Sequence, residues 1–515
     1  MKIVHTRQSD AMMEWTPPAS VSSASPESVA AMFSADDLVA QFALARSVAH
    51  LPEGWRVRSI AGWSLATHAA LSPVVELRTA AGDAIGWMLG LAIGEDGSLC
   101  TDVTTAPSLQ EIDNDDSAFE RFVYGHGGRF LAILAAGPRP RVYLDPVGSM
   151  SAVYVPALGM VAATPSLVPD VRGLEYDDAL IREFSLTTRS GVFPFGLTAR
   201  RGVHRLLPNF WLDLTSWTTH RHWPHAPIEE DQDPAEAVAL TSRILKRHVS
   251  ALAATYPLRC GLTAGMDTRM MLAHTREYLD RTVFLTRVIP DQSGQLDLAI
   301  ARVLASRFGL NHQVLPYGEP SERALHQWRF RGGFSLGEMR GWRTSESYAQ
   351  VGSLRAEMVG LVATLGRCTS YWRKSGYGKN PMTPDLMVRV LGEPATPAVF
   401  ELAARWLHEL PQSRTMTVLD LLFIEQHLGC WGGVLPYAEA LYSPLRLYPF
   451  THRDILTAFL RLPDRYRIAR RFPTDLIAAQ WPELLRVPFN RELGMKYYVR
   501  CARRYAWLAR RRLGL

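Results

Sequence analysis

Short runs in which apolar and polar residues alternate dominate the first half of the chain. Glycine and proline separate these runs, and this pattern predicts β-strands rather than helices. The predicted strands cover residues 74–80, 84–93, 129–137, 140–146 and 151–166. We therefore expect a β-rich domain over residues 55–223. Residues 1–54, which include a segment rich in Ser, Pro and Ala, are predicted to be a flexible lead-in.

The pattern changes after the polar stretch at residues 224–234, which we predict to be a linker. Asp233 as N-cap and Pro234 in the first turn are typical of a helix start. Strands and helices then alternate at the spacing of βαβ units, which predicts a parallel sheet. The strands are expected at residues 257–262 and 282–288, and the helices at residues 268–279 and 296–310. Residues 235–515 are therefore expected to form an α/β domain.

The turn after the first of these strands carries the most specific local chemistry. Small residues let backbone N–H groups approach phosphate oxygens, and the helix that follows directs its partly positive N-terminus at an anion. Hydroxyl groups can donate to a phosphate, whereas Asp267 is better suited to holding Mg²⁺. A plain strand-to-helix connection has the same local pattern. The nucleotide-binding candidates are Leu262, Thr263, Ala264, Gly265, Asp267 and Thr268, with Asp267 as the metal ligand.

Bulk composition narrows the class of protein. The chain has 515 residues, 47% hydrophobic and 21% charged, which is typical of a globular protein with more than one domain. Five scattered cysteines give no disulfide framework or metal-ligand spacing. No apolar run reaches the length of a membrane span, and the start does not resemble a secretory signal, so we expect a cytoplasmic protein.

The net charge of +6 is concentrated near the C-terminus, where residues 496–512 predict a basic helix. Such a segment can be a solvated helix end, or it can contact an acidic partner. We expect no nucleic-acid partner.

The segment LTAGMDTR, residues 262–269, resembles the S-G-G-x-D-S pyrophosphate loop of the asparagine synthetase family. Two earlier stretches resemble the glutamine-amidotransferase half of that family. These are Asp145-Pro146-x-Gly148 before a strand, and the Gly-Val-x-Arg-Leu-x-Pro pattern within residues 202–214. The resemblance implies a two-domain α/β protein. Its N-terminal half would be an amidotransferase-like sandwich, and its C-terminal half an adenine-nucleotide α-hydrolase-like parallel sheet with many helices.

Glutamine-using members of the family begin with a catalytic cysteine after removal of the initiator. Here Lys2 occupies that position, and the first cysteine is Cys100. An internal thiol lacks the free amine that acts as base, so we expect no glutaminase activity. In organisation the chain is most similar to members without this cysteine, such as β-lactam synthetase and lasso-peptide cyclase.

The second glycine-rich loop of the family carries acids that hold Mg²⁺ and pyrophosphate. The corresponding residues here, 358–378, contain no acid; Arg367, Arg373 and Lys374 stand in their place. Cations could neutralise a leaving pyrophosphate directly, which would assign catalytic roles to Arg367 and Lys374. The same change would follow from loss of activity.

Other positions match the family pattern less closely. Asp297 occupies the place of an aspartate in the helix after the second strand, although a first-turn helix charge would look the same. Glu425 corresponds to the glutamate that deprotonates the attacking amine, although it fits a charged helix face equally well. The closing lysine of the family has Arg486, Arg491 and Lys496 as candidates.

The resemblance implies an ATP- and Mg²⁺-dependent, AMP-forming amide ligase. It would adenylate a carboxylate of a small molecule or peptide and close an amide, such as a lactam or a peptide macrolactam in natural-product biosynthesis. A precursor peptide and a processing protein would then be partners. Asparagine formation from ammonia and a non-catalytic binding or scaffold role are the alternatives.

Overall fold

A computed structural model describes residues 24–186, 191–289, 291–338, 355–443 and 445–491. The strands are β1 (Phe42–Ala45), β2 (Arg56–Ile60), β3 (Trp63–Thr67), β4 (Val74–Arg78), β5 (Ala84–Ile93), β6 (Val103–Thr105), β7 (Gly127–Leu134), β8 (Arg141–Leu144), β9 (Val153–Val155), β10 (Met160–Ala162), β11 (His204–Arg205), β12 (Phe210–Asp213), β13 (Thr219–Arg221), β14 (Leu258–Gly261), β15 (Thr282–Arg287), β16 (His312–Leu315), β17 (Ala356–Met358) and β18 (Arg446–Leu447).

The α-helices are α1 (Pro26–Ala30), α2 (Leu109–Asn114), α3 (Ser117–Tyr124), α4 (Asp178–Glu183), α5 (Pro234–Thr255), α6 (Met266–His274), α7 (Gln292–Phe308), α8 (Glu322–Arg331), α9 (Ser370–Lys374), α10 (Pro384–Leu391), α11 (Pro397–His408), α12 (Thr415–Leu422), α13 (Leu435–Ala438), α14 (Arg453–Arg461), α15 (Asp464–Ile468) and α16 (Arg471–Gln480). A π-helical stretch, Phe423–Gly432, continues α12.

Two sheets form the first half of the chain. The first has the strand order β11-β9-β10-β1-β3-β2 and is antiparallel throughout. The second has the order β13-β12-β8-β7-β5-β4-β6 and is antiparallel except where β4 pairs with β6. The β-rich character predicted for this half is therefore confirmed. Its specific likeness to a glutamine-amidotransferase sandwich stays a prediction.

Alternation along β5 explains why the second sheet is covered on both faces. Trp87 and Leu89 are buried in a hydrophobic cluster shared with the first sheet. Met88 and Ala92 point to the other face and join a second cluster with Phe119 of α3. Because successive side chains of a strand alternate between faces, one strand serves both clusters.

The second half contains a parallel sheet with the order β16-β15-β14-β17-β18. The predicted βαβ units are confirmed, with α6 between β14 and β15 and α7 between β15 and β16. From β14 the chain moves outward to β15 and β16, and it returns on the other side of β14 at β17. The strand order therefore reverses at the carboxyl ends of β14 and β17, which is where open α/β sheets bind ligands.

Two boundaries differ from the predictions, and a third agrees with them. The lead-in was expected to be flexible through residue 54, but β1 lies within the first sheet, and all four of its residues are buried there. The helix expected at 268–279 begins at Met266, because Gly265 is its N-cap. Asp233 caps α5 by accepting from the N–H groups of Ala235 and Glu236, as predicted. The predicted basic C-terminal helix lies outside the described residues.

Candidate functional site

The candidate site is the crevice at the carboxyl ends of β14 and β17. Residues 262–265 leave β14 on one side, and residues 359–367 leave β17 on the other. The two segments meet closely, since a Cβ atom built on Gly360 would lie 2.8 Å from the Asp267 carbonyl oxygen. The two loops singled out in the sequence are thus neighbours in the fold.

Strand pairing holds the start of the first loop. The Leu262 N–H donates to Leu285 O at 2.7 Å, and the Thr286 hydroxyl donates to Leu262 O at 2.6 Å. The Leu262 side chain is fully buried. Leu262 therefore positions the loop through its backbone, and its side chain belongs to the core.

Hydrogen bonds within the loop use several of its polar groups. The hydroxyl oxygens of Thr263 and Thr268 lie 2.8 Å apart, and the Gly265 N–H donates to Thr263 Oγ1 at 3.1 Å. The N–H groups of Met266, Asp267 and Thr268 lie in the first turn of α6, where N–H groups have no partner within the helix. These groups, rather than the N–H of Gly265, point the positive end of the helix toward the crevice.

Asp297 of α7 is joined to this loop, as its place in the sequence suggested. Its Oδ1 accepts from the Ala264 N–H at 2.9 Å. Burial raises the pKa of Asp297, and the N–H bond from Ala264 offsets part of that rise. The Ala264 N–H, which was predicted to donate to a phosphate, therefore donates to a carboxylate instead.

Arg367 and Asp267, 100 residues apart, form a two-point ion pair. Arg367 Nε donates to Asp267 Oδ1 at 2.8 Å, and Arg367 Nη2 donates to Asp267 Oδ2 at 2.7 Å. Desolvation alone would lower the pKa of Arg367, but the bonds to Asp267 outweigh it and the pKa is raised. The fold thus brings the predicted pyrophosphate loop and its predicted cationic partner together.

Asp267, the predicted metal ligand, has a cation as its partner in the structure. Both carboxylate oxygens of Asp267 accept from Arg367. Within the described ranges, no group of three or more His, Cys, Asp or Glu side chains could hold a metal ion. Mg²⁺ requires several oxygen ligands in octahedral geometry. Asp267 is thus paired with a cation in this structure, and its role as a metal ligand stays a prediction.

Lys374, the other predicted catalytic cation, contacts α10 and the Tyr371 ring rather than the first loop. Its Nζ donates to Val390 O at 3.2 Å and lies 5.6 Å from the centre of the Tyr371 ring. Its neighbour Arg373 is exposed on α9. The structure brings Arg367 onto the loop and leaves Lys374 bonded to the end of α10, so a catalytic role of Lys374 stays a prediction.

Glu425 lies in a sealed network rather than in an open site. Its side chain is fully buried and accepts from Arg221 at 2.8 and 2.9 Å, from Asn209 Nδ2 at 2.8 Å and from Trp406 Nε1 at 2.6 Å. A general base needs an accessible lone pair in reach of the substrate. These partners favour a structural role at the contact between the two halves, and the base role stays an untested prediction.

The segment after α16 lies along the first loop, a contact that the sequence did not indicate. The Asn490 N–H donates to Ala264 O at 3.0 Å. The buried Arg269 of α6 donates to Val487 O at 2.5 Å and stacks on the Phe489 ring at 4.3 Å. No local motif marks Asn490, because its role depends on tertiary packing alone.

The candidates for the closing lysine remain unassigned. Arg486 ends the 3₁₀ turn Pro482–Arg486, and Arg491 is the last described residue. Lys496 lies outside the described residues.

The sequence matches no protein-family model and no curated protein. Among solved structures, NMN synthetase from Francisella tularensis is 14% identical, over 38% of this chain and 93% of that chain, with a TM-score of 0.18. A glutamine-dependent NAD+ synthetase from Acinetobacter baumannii in complex with adenosine diphosphate is 14% identical, over 43% of this chain and 41% of that chain, with a TM-score of 0.16. TM-scores this low do not establish a shared fold or function.

The described residues thus define an α/β protein with three sheets and many helices. Among them, no helix combines the length and the apolar character needed to cross a membrane.

Proposed function

We propose that this chain is an ATP-dependent, AMP-forming amide ligase with its nucleotide site in the crevice between β14 and β17. The observation that carries the proposal is the meeting of two loops at the point of strand reversal, with the N-terminus of α6 and the Arg367 guanidinium facing the same space. Positive helix ends and guanidinium groups stabilise phosphate anions. The sequence resemblance to asparagine synthetase supports the same reaction class.

In the proposed reaction, a carboxylate oxygen of the substrate attacks the α-phosphorus of ATP. The bond from that phosphorus to the bridging oxygen breaks, which leaves an acyl-adenylate and pyrophosphate. Arg367 would exchange Asp267 for the departing pyrophosphate, because a guanidinium can pair with either anion through two N–H groups.

In the second step, an amine attacks the acyl carbon, AMP leaves, and the amine loses a proton to a base. An amine on the same substrate would give a lactam or peptide macrolactam, since binding both ends of one molecule supplies a high effective molarity. Ammonia as the amine would give an asparagine synthase-type reaction. No step is assigned to a resident metal, and magnesium would arrive with ATP as part of the substrate.

ATP–pyrophosphate exchange with candidate carboxylates tests the adenylation step. We expect Asp267→Ala to lower exchange by about 10²-fold or more, because Asp267 holds the Arg367 guanidinium beside the loop. Asp385→Ala is the matched control, since Asp385 is an exposed first-turn aspartate of another helix, α10. Exchange in Asp267→Ala equal to that of Asp385→Ala would refute the assignment.

A non-catalytic binding role is the second candidate, and one observation favours it. The N–H groups of Ala264 and Gly265 and both oxygens of Asp267 already have partners inside the protein. A working phosphate loop would have to give up some of these bonds. Calorimetry with Mg-ATP separates the two candidates, because a binding protein would take up ATP without exchange against any carboxylate.

A further inference from the structure

Arg470 is a third arginine at the crevice, and neither motif contains it. It is the N-cap residue of α16 and adopts a left-handed backbone conformation, with φ 56° and ψ 34°. Residues other than glycine and asparagine rarely adopt this conformation, and such strain is concentrated at functional sites. The side chain is exposed.

Contacts on either side of Arg470 fix its backbone beside Arg367. The buried Arg467 donates to Leu365 O from Nε at 3.0 Å and from Nη2 at 2.6 Å. Phe472 packs against Gly366 so closely that a Cβ atom on Gly366 would lie 2.6 Å from its ring. The segment on both sides of Arg470 therefore touches the turn that ends at Arg367.

The charges around this point are unbalanced. Desolvation, and after it the charges of Arg367 and Arg373, lower the pKa of Arg470, while Asp267 opposes this effect. Asp267 is already paired with Arg367. Neither Arg373 nor Arg470 forms a hydrogen bond or ion pair through its guanidinium with another described residue. Arg367 and Arg470 thus lie within electrostatic reach of one carboxylate, Arg373 lies within reach of Arg470, and the guanidinium groups of Arg373 and Arg470 are available to an anion.

We propose that Arg470 and Arg373, together with Arg367, form a binding site that takes a diphosphate group directly, without a divalent metal. The three arginines come from three different segments: α9, the turn after β17 and the start of α16. Guanidinium groups bind phosphate oxygens through charge-assisted bonds. The diphosphate could be free pyrophosphate or part of a nucleotide. For the nucleotide, this inference rests on the proposed function.

Calorimetric titration of the full chain with inorganic pyrophosphate in EDTA tests the site without turnover. We expect the wild type to bind, and Arg470→Gln and Arg373→Gln each to weaken binding by about tenfold or more, as expected for loss of a charged hydrogen bond. Arg471→Gln is the matched control, because Arg471 is the next residue and is also exposed. It should change binding by less than about twofold, a change too small for a lost charged hydrogen bond.

A second variant separates charge from folding. Arg470→Gly removes the guanidinium and also relieves the left-handed strain, so it should lose pyrophosphate binding while its melting temperature does not fall. ADP and AMP as further ligands distinguish the sources of the diphosphate. If the site binds the diphosphate of a nucleotide, Arg470→Gln should weaken ADP binding and leave AMP binding unchanged. If Arg470→Gln weakens the binding of pyrophosphate but not of ADP, the site binds free pyrophosphate.

Two results would overturn the inference: pyrophosphate binding by the wild type only when Mg²⁺ is added, or equal binding by Arg470→Gln and Arg471→Gln. Failure of the proposed function gives a different result. A wild type that binds pyrophosphate in EDTA but shows no ATP–pyrophosphate exchange would retain the arginine site and lose the ligase assignment.

Discussion

Two arginine–carboxylate pairs in this protein have nearly the same geometry and opposite surroundings. Arg221 meets Glu425 at 2.8 and 2.9 Å, and Arg367 meets Asp267 at 2.8 and 2.7 Å. The side chains of the first pair are 8% and 0% exposed, whereas those of the second are 28% and 25% exposed.

The difference lies in what surrounds each carboxylate. Asn209 and Trp406 also donate to Glu425, so the desolvated charge is satisfied on several sides. Arg367 is the hydrogen-bond partner of both Asp267 side-chain oxygens, and the pair lies at the end of the parallel sheet. The buried Arg221–Glu425 pair, here called the sealed pair, can fix how elements pack. The partly exposed Arg367–Asp267 pair, here called the open pair, can exchange one partner for a ligand. Geometry alone does not separate the two roles.

Breaking the sealed pair should have the largest effect. Glu425→Ala leaves Arg221 buried without its carboxylate, so we expect the free energy of unfolding to fall by about 3–5 kcal/mol. Urea denaturation measures this change. Glu401→Ala is the control, because its pair with Arg405 is 75% and 63% exposed and should cost no more than about 0.5 kcal/mol. A loss below about 1 kcal/mol for Glu425→Ala would mean that the pair is not sealed.

The close approach of Gly360 to the backbone of Asp267 predicts a smaller loss of stability on substitution. A methyl group on Gly360 would lie 2.8 Å from the Asp267 carbonyl oxygen and 3.3 Å from Met271 Cγ. Gly360→Ala should therefore displace the two loops, lower the free energy of unfolding by about 1–3 kcal/mol and reduce ATP–pyrophosphate exchange.

Gly432→Ala is the control for this change, since its added methyl group would meet Leu361 Cδ2 at 3.5 Å, an ordinary contact. Equal unfolding free energies for the two variants would contradict the close approach of the loops.

Sequence reasoning could identify the open site in part because its loops are local. The strand, the turn from Thr263 to Thr268 and the helix after it follow one another, and each leaves a pattern over a few residues. The cationic turn that contains Arg367 was likewise recognisable, as the counterpart of the second glycine-rich loop of the asparagine synthetase family. Parallel pairing of β14 with β17 places the two loops that follow these strands side by side.

The remaining roles depend on contacts between distant segments. Glu425 has the same local sequence pattern whether it lies on a charged helix face, acts as a base or, as observed, pairs with Arg221 from the other half of the chain. Asn490 and Arg470 have no motif at all. The ion pair between Asp267 and Arg367 could not be predicted either. Two opposite charges 100 residues apart in the sequence give no local signal that they will meet in the fold.

Breaking the open pair should cost little stability. In Asp267→Asn the free energy of unfolding should fall by no more than about 1 kcal/mol, since solvent screens a pair that is about a quarter exposed. The same urea titration as for Glu425→Ala measures it. A loss of about 3 kcal/mol or more would show that Asp267 is as sealed as Glu425 and would remove the distinction between the two pairs.

The smallest change in the free energy of unfolding is expected for a substitution of Asp297. It tests whether the Asp297 carboxylate, which accepts from the first loop, is an unfavourable charge in the folded state. Burial raises the pKa of Asp297, so the folded state binds a proton more readily than the unfolded state, whose aspartate pKa is about 3.9. The free energy of unfolding therefore falls as pH rises from that value through the folded pKa, and the unfavourable contribution is complete above it.

Asp297→Asn removes the charge and keeps an oxygen to accept from Ala264 N–H. We expect its unfolding free energy, relative to the wild type, to rise between pH 4 and pH 7 by less than about 1 kcal/mol. Urea titrations at both pH values provide the measurement. A relative fall over this interval would mean that the loop stabilises the Asp297 carboxylate, and the first loop would then already hold its preferred anion without a ligand.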